Sequence, residues 1–495
     1  MNKVSNFKIQ IAQKEFLKIV LIATSITDGK SLNSSIGVIT IKANKDYIKI
    51  ISSNNIILLE QKILINTNTI VLQEGEITVE ASILLSIIKI FNNKLITIYA
   101  INDIVHIESD TKFKINQIAN NLYKKVINIL PDTFSIVLDA NNFANMLKYT
   151  KFAIAAHESR SNLNCIALKY ENNEIISYGM DGHRFARFAI KYNKINSNNV
   201  NLDNNLISTI KQSTDEYFAN YIQNDDNSNA SNNLTKNNFK LLDKSLIDEN
   251  LENNNLITIK EVDFKILIPT KLIEQILTII STFKIEHIYI SINQFDITLI
   301  FINQDNINEN SFQPNINIYK NNHINLTSKL INAEFIDYDK IIPNFKEYKY
   351  LYQINAAILA ESIYKVTAIS NEKFKALKCD FFDNIIQITS YGQNDAKAVD
   401  IISIINLNIN LENNNNLSQK NNYIYNKENI DNIYIDNNQI KPLISIGFNY
   451  RYLLDVLDVL KDHNIKIYIQ NNMSPIVIIS EKLENSTFII MPIKI

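Results

Sequence analysis

The last part of the chain combines a helical pattern with strand-like runs. Within residues 450–461, Leu453, Val456, Leu457 and Leu460 fall at i, i+3, i+4 and i+7, which is the spacing of one apolar helix face. Three runs with strand character follow, at residues 465–469, 475–479 and 486–495. The pattern predicts one helix followed by a three-strand meander.

The same unit recurs along the chain. Further helical patterns occur at residues 13–24, 83–91, 143–154, 271–283 and 356–369. Strand-like runs accompany them at residues 38–42, 47–51, 56–59, 94–99, 104–107, 112–115, 134–138, 164–168, 175–178, 287–291, 296–301, 324–327 and 350–354. The units occur in pairs, and the length of one pair is far longer than the repeat of a solenoid protein. Each pair should therefore be a domain with its own core.

The predicted architecture is α+β, with three tandem domains that each hold two helices packed on antiparallel sheets. The domains are expected at residues 1–133, 134–345 and 346–495. Two Asn-rich, low-complexity inserts interrupt the last two domains, at about residues 194–256 and 406–438, and such composition cannot bury enough apolar surface to order itself.

Composition sets only wide limits on function. The 495 residues are 46% hydrophobic, enough for about three cores, and the formal net charge of −2 does not indicate a polyanion partner. Cys165 and Cys379 form neither a CxxC pair nor a disulfide framework. The N-terminus lacks a signal-peptide pattern and no apolar run is long enough to span a membrane, so a cytoplasmic protein is expected.

The segment Met180–Phe185, Met-Asp-Gly-His-Arg-Phe, is the sharpest local motif. In one interpretation Asp181 and His183 form an acid/base pair and Arg184 binds an anion, which would suit a nucleic-acid hydrolase or transferase. In the other, Gly182 allows a tight turn after a strand, and the turn presents His183 and Arg184 for binding. Because no activated nucleophile or phosphate loop accompanies the motif, the turn is the favoured interpretation.

The remaining candidate chemistry points away from an enzyme. The other histidines are scattered with no metal-ligand spacing, and no dinucleotide or phosphate-loop fingerprint occurs, so no metal or cofactor is expected. Lysines lie on the polar sides of the predicted helices. Such residues form an ordinary solvated face, or they converge into a phosphate-binding surface if the repeats arrange their helices around one cavity. A third possibility is a repeat scaffold that never touches DNA.

Four segments resemble the bacterial DNA polymerase III beta subunit family, the replication sliding clamps. They are the spacing of Phe152, Arg160, Leu163 and Asn164, the turn at residues 181–184, the predicted helix end at 369–374, and residues 448–457 with the terminal 491–495. Together with the threefold repeat, the resemblance covers the chain apart from the inserts.

The resemblance implies a non-catalytic processivity factor without cofactors. A head-to-tail homodimer would form a closed ring around double-stranded DNA, holding it without sequence preference. The ring would tether the replicative polymerase, the clamp loader and other clamp-binding proteins, and it would be cytoplasmic and nucleoid-associated.

The family's functional surfaces carry over residue by residue. The implied partner-peptide cleft lies between the second and third domains and consists of Leu163, Met180, Gly182, His183, Arg184, Phe185, Lys340, Ile341, Pro475, Ile489, Met491 and Pro492. The implied DNA-facing residues are Lys14, Lys18, Lys30, Lys89, Lys148, Lys151, Arg160, Lys271, Lys365 and Arg451. The implied dimer interface sets Lys112, Phe113 and Ile115 against the partner's copy of Ala368, Ile369 and Glu372.

Some positions depart from the family pattern. Cys165 stands for a usual glycine, Ile336 for a proline, and Lys340 for a common arginine, whose bidentate hydrogen bonding a lysine cannot reproduce. The segment 30–35 lacks the usual prolines, which affects the DNA contact expected at Lys30. Partner peptides are therefore expected to bind differently here.

The C-terminal stretch should serve both the third domain and the cleft. We expect deletion of residues 491–495 to weaken partner binding more than ring assembly, because Met491 and Pro492 belong to the implied cleft and not to the dimer interface. Peptide affinity and solution mass measured on the same preparation would check this. An equal loss of both would contradict the separation of the two roles.

Overall fold

The computed structural model describes residues 7–27, 37–54, 56–92, 94–118, 134–156, 158–192, 263–303, 324–370, 375–407, 441–483 and 485–494. Two predicted site residues, Lys30 and Glu372, lie outside these ranges, as do the first insert and residues 408–438 of the second. None of the helices in the described ranges is long and apolar enough to cross a membrane.

Six helices occur in the described part of the chain. They are α1 (Gln13–Ile26), α2 (Ala81–Ile90), α3 (Ala140–Lys151), α4 (Thr270–Thr282), α5 (Ala356–Thr367) and α6 (Tyr450–Val459). The predicted apolar face of α1 is confirmed, since Phe16, Ile19, Val20 and Ala23 are all buried. Each helix begins directly where a strand ends.

The described strands, in chain order, are β1 (Phe7–Ala12), β2 (Val38–Ala43), β3 (Tyr47–Ser53), β4 (Ile57–Leu64), β5 (Thr69–Gln73), β6 (Gly75–Glu80), β7 (Leu95–Ile101), β8 (Ile104–Glu108), β9 (Lys112–Asn116), β10 (Phe134–Asp139), β11 (Cys165–Glu171), β12 (Glu174–Met180) and β13 (Arg184–Lys191). They continue with β14 (Phe264–Pro269), β15 (Ile285–Ile292), β16 (Asp296–Asn303), β17 (Ile324–Lys329), β18 (Tyr350–Asn355), β19 (Ala376–Phe381), β20 (Ile385–Tyr391), β21 (Lys397–Ser403), β22 (Ile405–Asn406), β23 (Ile444–Asn449), β24 (Asn464–Ile469), β25 (Ile476–Ser480) and β26 (Ser486–Ile490).

A repeat of one strand, one helix and three meander strands occurs six times in this order. The repeats are β1-α1-β2-β3-β4, β6-α2-β7-β8-β9, β10-α3-β11-β12-β13, β14-α4-β15-β16-β17, β18-α5-β19-β20-β21 and β23-α6-β24-β25-β26. The predicted internal repeat and the α+β class are confirmed, and the true unit includes a leading strand that the helix-first pattern left out. In the last two repeats an asparagine caps the helix: the side chain of Asn355 accepts hydrogen bonds from the backbone of Ala357 and Ile358, and that of Asn449 from Arg451.

Two compact units contain the sheets, each sheet lying wholly within one unit. The described parts of Met1–Asp139 and Ile279–Lys329 hold a five-stranded sheet, β5-β1-β7-β8-β9, and an eight-stranded sheet, β10-β15-β16-β17-β4-β3-β2-β6. Ala140–Tyr192, Asp263–Thr278 and Leu330–Ile495 hold a nine-stranded sheet, β14-β11-β12-β13-β26-β25-β24-β18-β22, and a four-stranded sheet, β21-β20-β19-β23. The predicted central domain contributes to both units, and the three-domain division by sequence stays a prediction.

Consecutive repeats exchange their leading strands. In each pair of repeats, the leading strand of one adds to the meander of the other, giving the pairings β1 with β7, β6 with β2, β10 with β15, β14 with β11, β18 with β24 and β23 with β19. Neither repeat of a pair can complete its sheet alone, because its edge hydrogen bonds are made by the other.

The third meander strands join the sheets of different pairs. β4 pairs with β17, and β13 pairs with β26, so that two meanders form one continuous sheet in each case. The third strands of the two remaining repeats, β9 and β21, each lie at an end of their sheet among the described strands. Among the described strands, the repeat pattern therefore leaves the outer edges of β9 and β21 without a pairing strand.

Several sequence-based element boundaries were wrong, and two of them concern the site. The final strand was expected over 486–495 but ends at Ile490, and only Ile493 beyond it makes an isolated bridge, to Gly447. The helix expected over 143–154 begins at Ala140 and ends at Lys151.

Strand β13 was missed by the sequence pattern. Phe185 and Ala186 are both buried, as are Phe188 and Ala189, so the strand has no alternation of apolar and polar residues. A strand covered on both faces loses the period of two that reveals half-buried strands.

Gly179 marks a close approach between β12 and the end of α3. A Cβ atom at this position would lie 2.2 Å from the backbone carbonyl oxygen of Thr150. We expect Gly179→Ala to lower the free energy of unfolding by about 2 kcal/mol, because one of the two backbones must shift to relieve the overlap. Urea denaturation followed by circular dichroism measures this. Gly37→Ala is the matched control, since nothing lies within 4 Å of its added Cβ and its stability should be nearly unchanged.

Candidate partner-binding cleft

A row of large side chains crosses five adjacent strands of the nine-stranded sheet. Met180 pairs with Phe185, Phe185 with Ile489, Ile489 with Val477, and Val477 with Tyr468. Laterally paired residues point to the same face of a sheet, so these side chains form one apolar surface. Phe185, Val477 and Ile489 are buried members of a single hydrophobic cluster, against which Met180 and Tyr468 pack.

The connector, residues 330–349, lies on this surface. The ring of Tyr338 stacks on that of Tyr178, with centroids 4.9 Å apart and an interplanar angle of 12°. Farther along, the Phe345 ring meets Tyr468 edge-on at a centroid distance of 5.0 Å. The Tyr338 ring also lies against Phe185, so the connector packs on the row at Phe185 and at Tyr468.

Large apolar side chains remain exposed beside the covered row. Ile341, in the short 3-10 helix Tyr338–Ile341 of the connector, is 37% exposed, and Met491, directly after β26, is 40% exposed. Met180, Pro475 and Pro492 are half-buried. An apolar surface with a few exposed, flexible side chains suits the binding of a short apolar peptide.

The cleft residues implied by the resemblance differ in their surroundings. Leu163 is buried, and its carbonyl accepts a hydrogen bond from the backbone of Ala155, 3.0 Å away. Lys340 is exposed, and its Nζ lies 2.7 Å from Oδ2 of Asp337 on the same connector. Met473, which sequence reasoning did not select, is 67% exposed in the loop before Pro475. A methionine in a polar turn was the signal that could have found it.

The turn at residues 181–183 is built around the Asp181 carboxylate. Its Oδ1 accepts the backbone N–H groups of His183 and Arg184, each at 2.9 Å, and its Oδ2 accepts Nε–H of Arg184 at 3.0 Å. Gly182 has a φ of 88°, which favours glycine. The predicted tight turn is confirmed. Since the carboxylate already accepts three hydrogen bonds from the protein, its evident role is structural.

Arg184 lies on the opposite side of β13 from Phe185, as alternation along a strand requires. Its guanidinium sits over the ring of Tyr452, 4.7 Å from the centroid, and over that of Phe152, 5.7 Å from the centroid. It also pairs with Asp181 and with Asp455 of α6, and the side chain is only 12% exposed. Arg184 therefore fastens the turn to α6 and does not point into the apolar row.

The C-terminal tail crosses the rim of the same region. The backbone N–H of Met491 donates to the carbonyl of His183 at 2.8 Å, and that of Ile493 donates to the carbonyl of Gly447 at 2.8 Å. The imidazole of His183 stacks on Tyr452, with centroids 5.6 Å apart. The tail therefore ties the turn to the β23 edge of the four-stranded sheet.

Nothing in the described ranges supports catalysis by metal or thiol. No group of three or more His, Cys, Asp or Glu side chains in those ranges could hold a metal ion. Burial raises the pKa of the Cys165 thiol to about 12, so this residue is a thiol at neutral pH and not a nucleophilic thiolate.

The basic residues of the DNA-facing set are unevenly distributed over the helices. Helix α2 carries Lys89 and α3 carries Lys148 and Lys151, with no acidic residue on either. Helix α6 instead combines Arg451 with two aspartates. Lys14, Lys18, Lys89 and Lys148 are exposed.

Three further members of the DNA-facing set have acidic neighbours. Ion pairs join Lys151 to Glu274 at 3.2 Å, Arg160 to Glu158 at 3.4 Å and Lys365 to Glu361 at 2.6 Å. Positive charge is thus densest on the helices of the first three repeats.

The first half of the predicted dimer interface lies on β9. Phe113 and Ile115 are half-buried on one side of this edge strand, and the Phe113 ring packs edge-on against Phe91 at 5.7 Å. Ile90, at the end of α2, is 56% exposed and was missed by sequence reasoning. Lys112 lies 3.9 Å from Glu108, its neighbour on β8.

The second half lies beside an edge strand but not on one. Ala368 is exposed and Ile369 half-buried, both just after α5. A Cβ atom on Gly392, between β20 and β21, would lie 2.6 Å from the carbonyl oxygen of Ile369. The exposed strand edge of this sheet is β21, which the sequence pattern did not reveal.

Paired strand–helix–meander repeats with exchanged leading strands define a class of tandem α+β repeat protein in which sheets extend from one pair to the next. Sequence models of the three domains of one family match in the expected order: the N-terminal domain of the DNA polymerase III beta subunit at residues 7–127, the central domain at 137–217 and the C-terminal domain at 402–494. The chain belongs to the DNA polymerase III beta subunit family.

Individual relatives agree with this assignment. The beta sliding clamp of Rickettsia bellii is 23% identical over 99% of this chain and 100% of its own length, and that of Escherichia coli K12 is 23% identical over 34% of this chain and 37% of its own. Among solved structures, the sliding clamp of Pseudomonas aeruginosa has a TM-score of 0.67 at 15% identity, covering 99% of this chain and 100% of its own. The clamp of Bartonella birtlesii bound to griselimycin has a TM-score of 0.68 at 15% identity, with the same coverage.

The contact between Arg184 and α6 can be tested by substitution. We expect Arg184→Ala to lower the free energy of unfolding by about 1–2 kcal/mol, since it removes ring contacts and leaves Asp181 and Asp455 without their shared cation; the exposure of Asp455 keeps the figure at the low end. Urea denaturation is the measurement. Arg160→Ala, at an exposed ion pair, should leave stability unchanged, and equal behaviour of the two variants would contradict the fastening role.

Proposed function

We propose that this protein is a DNA sliding clamp and processivity factor, a homodimeric ring that encloses duplex DNA and tethers the replicative polymerase and other partners to it. The observation that carries the proposal is that no described strand pairs with the outer edges of the third strands β9 and β21, in a family member whose other four third strands pair with one another. The protein itself carries out no reaction and needs no cofactor.

Pairing between β9 of one protomer and β21 of its partner would complete the repeat pattern. β4–β17 and β13–β26 already join third strands antiparallel, and β9–β21 is the one combination of third strands that a single chain leaves open. Because β9 and β21 lie on different surfaces of the protomer, the contact would be head-to-tail, and two such contacts would close a two-fold ring in which every described third strand is paired.

Apolar side chains beside these edges would strengthen the contact. Phe113 and Ile115 lie half-buried on β9, and on the other surface Ile369 approaches Gly392 between β20 and β21. An interface core of such apolar residues excludes water from the new strand hydrogen bonds.

The basic helices suit a partner that the protein contacts only through phosphate groups. Four of their basic residues are exposed lysines: Lys14, Lys18, Lys89 and Lys148. A lysine ammonium is a point charge that does not form the fixed bidentate hydrogen bonds of arginine, which fits sequence-independent contact with a DNA backbone. With a net charge of −2, the chain as a whole does not attract DNA strongly. Enclosure, not affinity, would keep the ring on DNA.

The apolar row beside the connector is the proposed docking site for partner peptides. Half-buried Met180 would lie at its floor, beside the buried Phe185 and Ile489. Exposed Ile341 would form one wall, and exposed Met491 with half-buried Pro492 the other. Weak, exchangeable partners such as the polymerase and the clamp loader would compete for it. Griselimycin, to which the similar clamp of Bartonella birtlesii is bound, is the proposed probe of this site. We place the assembled ring in the cytoplasm, associated with the nucleoid.

The dimer contact predicts a mass change. We expect Phe113→Asp to convert a species of about twice 56.9 kDa into a monomer, since a charge would be buried against the partner's apolar surface. Light scattering after size-exclusion chromatography at micromolar concentration measures the mass. Lys114→Asp, on the same strand but the opposite face, should leave the dimer intact; a wild-type monomer would count against a ring.

Enclosure predicts a dependence on DNA topology. Protein loaded on nicked circular DNA should remain bound through a high-salt wash and dissociate rapidly once a restriction enzyme linearises the circle, because a ring can slide off free ends. Ordinary phosphate binding would weaken steeply with salt on both forms. Equal loss from circular and linear DNA would rule out topological binding.

A further inference from the structure

Three side chains from three neighbouring strands converge on one carboxylate of the connector. Asp339 accepts a hydrogen bond from Nζ of Lys169 on β11 at 2.9 Å and one from the hydroxyl of Tyr178 on β12 at 2.8 Å. Nε of Arg187 on β13 lies 3.8 Å from the same carboxylate. These contacts fasten the connector to the sheet by charge, and a cation–π contact between Lys265 of β14 and Phe335 of the connector adds to them.

The cations gathered under the connector are shared with strand carboxylates. Lys169 also pairs with Glu171 at 2.5 Å, and Arg187 lies 4.0 Å from Glu174. The side chains of Lys169 and Arg187 are only 12% and 19% exposed. Burial alone would raise the pKa of Asp339, but its hydrogen bonds from Lys169 and Tyr178 outweigh this and lower the pKa, so the carboxylate is charged at neutral pH.

Asp339 sits between the buried and the exposed parts of the connector. On one side of it Tyr338 stacks on Tyr178 beneath the connector, and on the other Lys340 and Ile341 face solvent at the proposed cleft. All four residues belong to one turn of 3-10 helix, Tyr338–Ile341. Holding the Asp339 carboxylate in place therefore sets the position of the Ile341 side chain relative to the sheet.

We propose that Asp339 is a positioning residue: it latches the connector to the nine-stranded sheet and thereby sets the affinity of the cleft for apolar partner peptides. This inference rests on the proposed function of the cleft. A connector released at Asp339 still has its aromatic contacts, but Ile341 then samples several positions, and the partner must restrict them on binding, which weakens affinity.

Asp337 supplies a matched control. It lies two residues away on the same connector and carries the same charge, but its ion pair is with Lys340 of the connector itself. Its side chain makes no capping hydrogen bond to the start of the 3-10 helix. Asp337→Asn therefore removes an acidic side chain from the connector without removing a hydrogen bond or ion pair to the sheet; only its longer-range attraction to Lys169 and Lys265 is lost.

The experiment compares wild-type protein, Asp339→Asn and Asp337→Asn at a temperature at which circular dichroism shows all three fully folded. Hydrogen exchange of residues 330–348 reports the latch, and calorimetric titration with griselimycin reports the cleft. For Asp339→Asn we expect about 10-fold faster exchange in the connector and about 3- to 10-fold weaker griselimycin binding, a range that allows for the solvent exposure of Asp339.

Salt provides a second, independent comparison. Because the latch consists of partly exposed ion pairs, 1 M salt should bring the wild-type affinity towards that of Asp339→Asn, while the variant itself changes less. Asp337→Asn should follow the wild type in exchange, affinity and salt dependence. A purely structural role for Asp339 would lower the unfolding midpoint without changing the affinity of folded protein.

Two results would overturn the proposal: exchange and affinity in Asp339→Asn equal to wild type, or equal changes in Asp339→Asn and Asp337→Asn. Failure of the cleft itself gives a different result. Wild-type protein that does not bind griselimycin would refute the proposed cleft and the affinity role with it, whereas the exchange rates would still show whether Asp339 holds the connector.

Discussion

Backbone hydrogen bonding at strand edges is the constraint on which the rest of this structure depends. Each repeat gives its leading strand to its neighbour and takes one back, so a pair of repeats is the smallest piece with satisfied sheets. The third strands then join pairs into longer sheets. Because an unpaired edge attracts another strand, the same rule that builds each sheet also specifies which edges another copy of the chain can occupy.

The cleft is a consequence of this sheet continuity. Pairing of β13 with β26 brings Phe185 beside Ile489 and joins two stretches of chain that are remote in sequence. The middle of the row, Phe185, Val477 and Ile489, is buried as in an ordinary core. Met180 at one end is only half-buried, and Ile341 of the connector lies at the surface. Partial coverage by the connector is what would turn this core packing into the proposed binding site.

The most conspicuous sequence motif owes its composition to geometry. Asp181 closes the turn, Gly182 supplies the positive φ, and Arg184 reaches α6 between two aromatic rings. The acid/base interpretation of Asp181 and His183 required a carboxylate available for proton transfer. In the structure, that carboxylate accepts hydrogen bonds from backbone and guanidinium N–H groups. A local pattern of six residues cannot show these hydrogen bonds.

The sequence by itself determined the repeat, the six helix positions and the α+β class, because amphipathic periodicity depends only on neighbouring residues. It could not reveal β13, whose two faces are both buried, nor β21 as the exposed edge, because edges depend on which strands pair across long separations. The resemblance selected Arg184 for the cleft, but only the fold shows it on the other side of the strand. In the sequence, Asp339 likewise does not differ from the other acidic residues. Only the tertiary structure shows that Lys169, Tyr178 and Arg187 surround its carboxylate. Charges acquire their partners from the fold, whereas local sequence fixes only which face of an element they occupy.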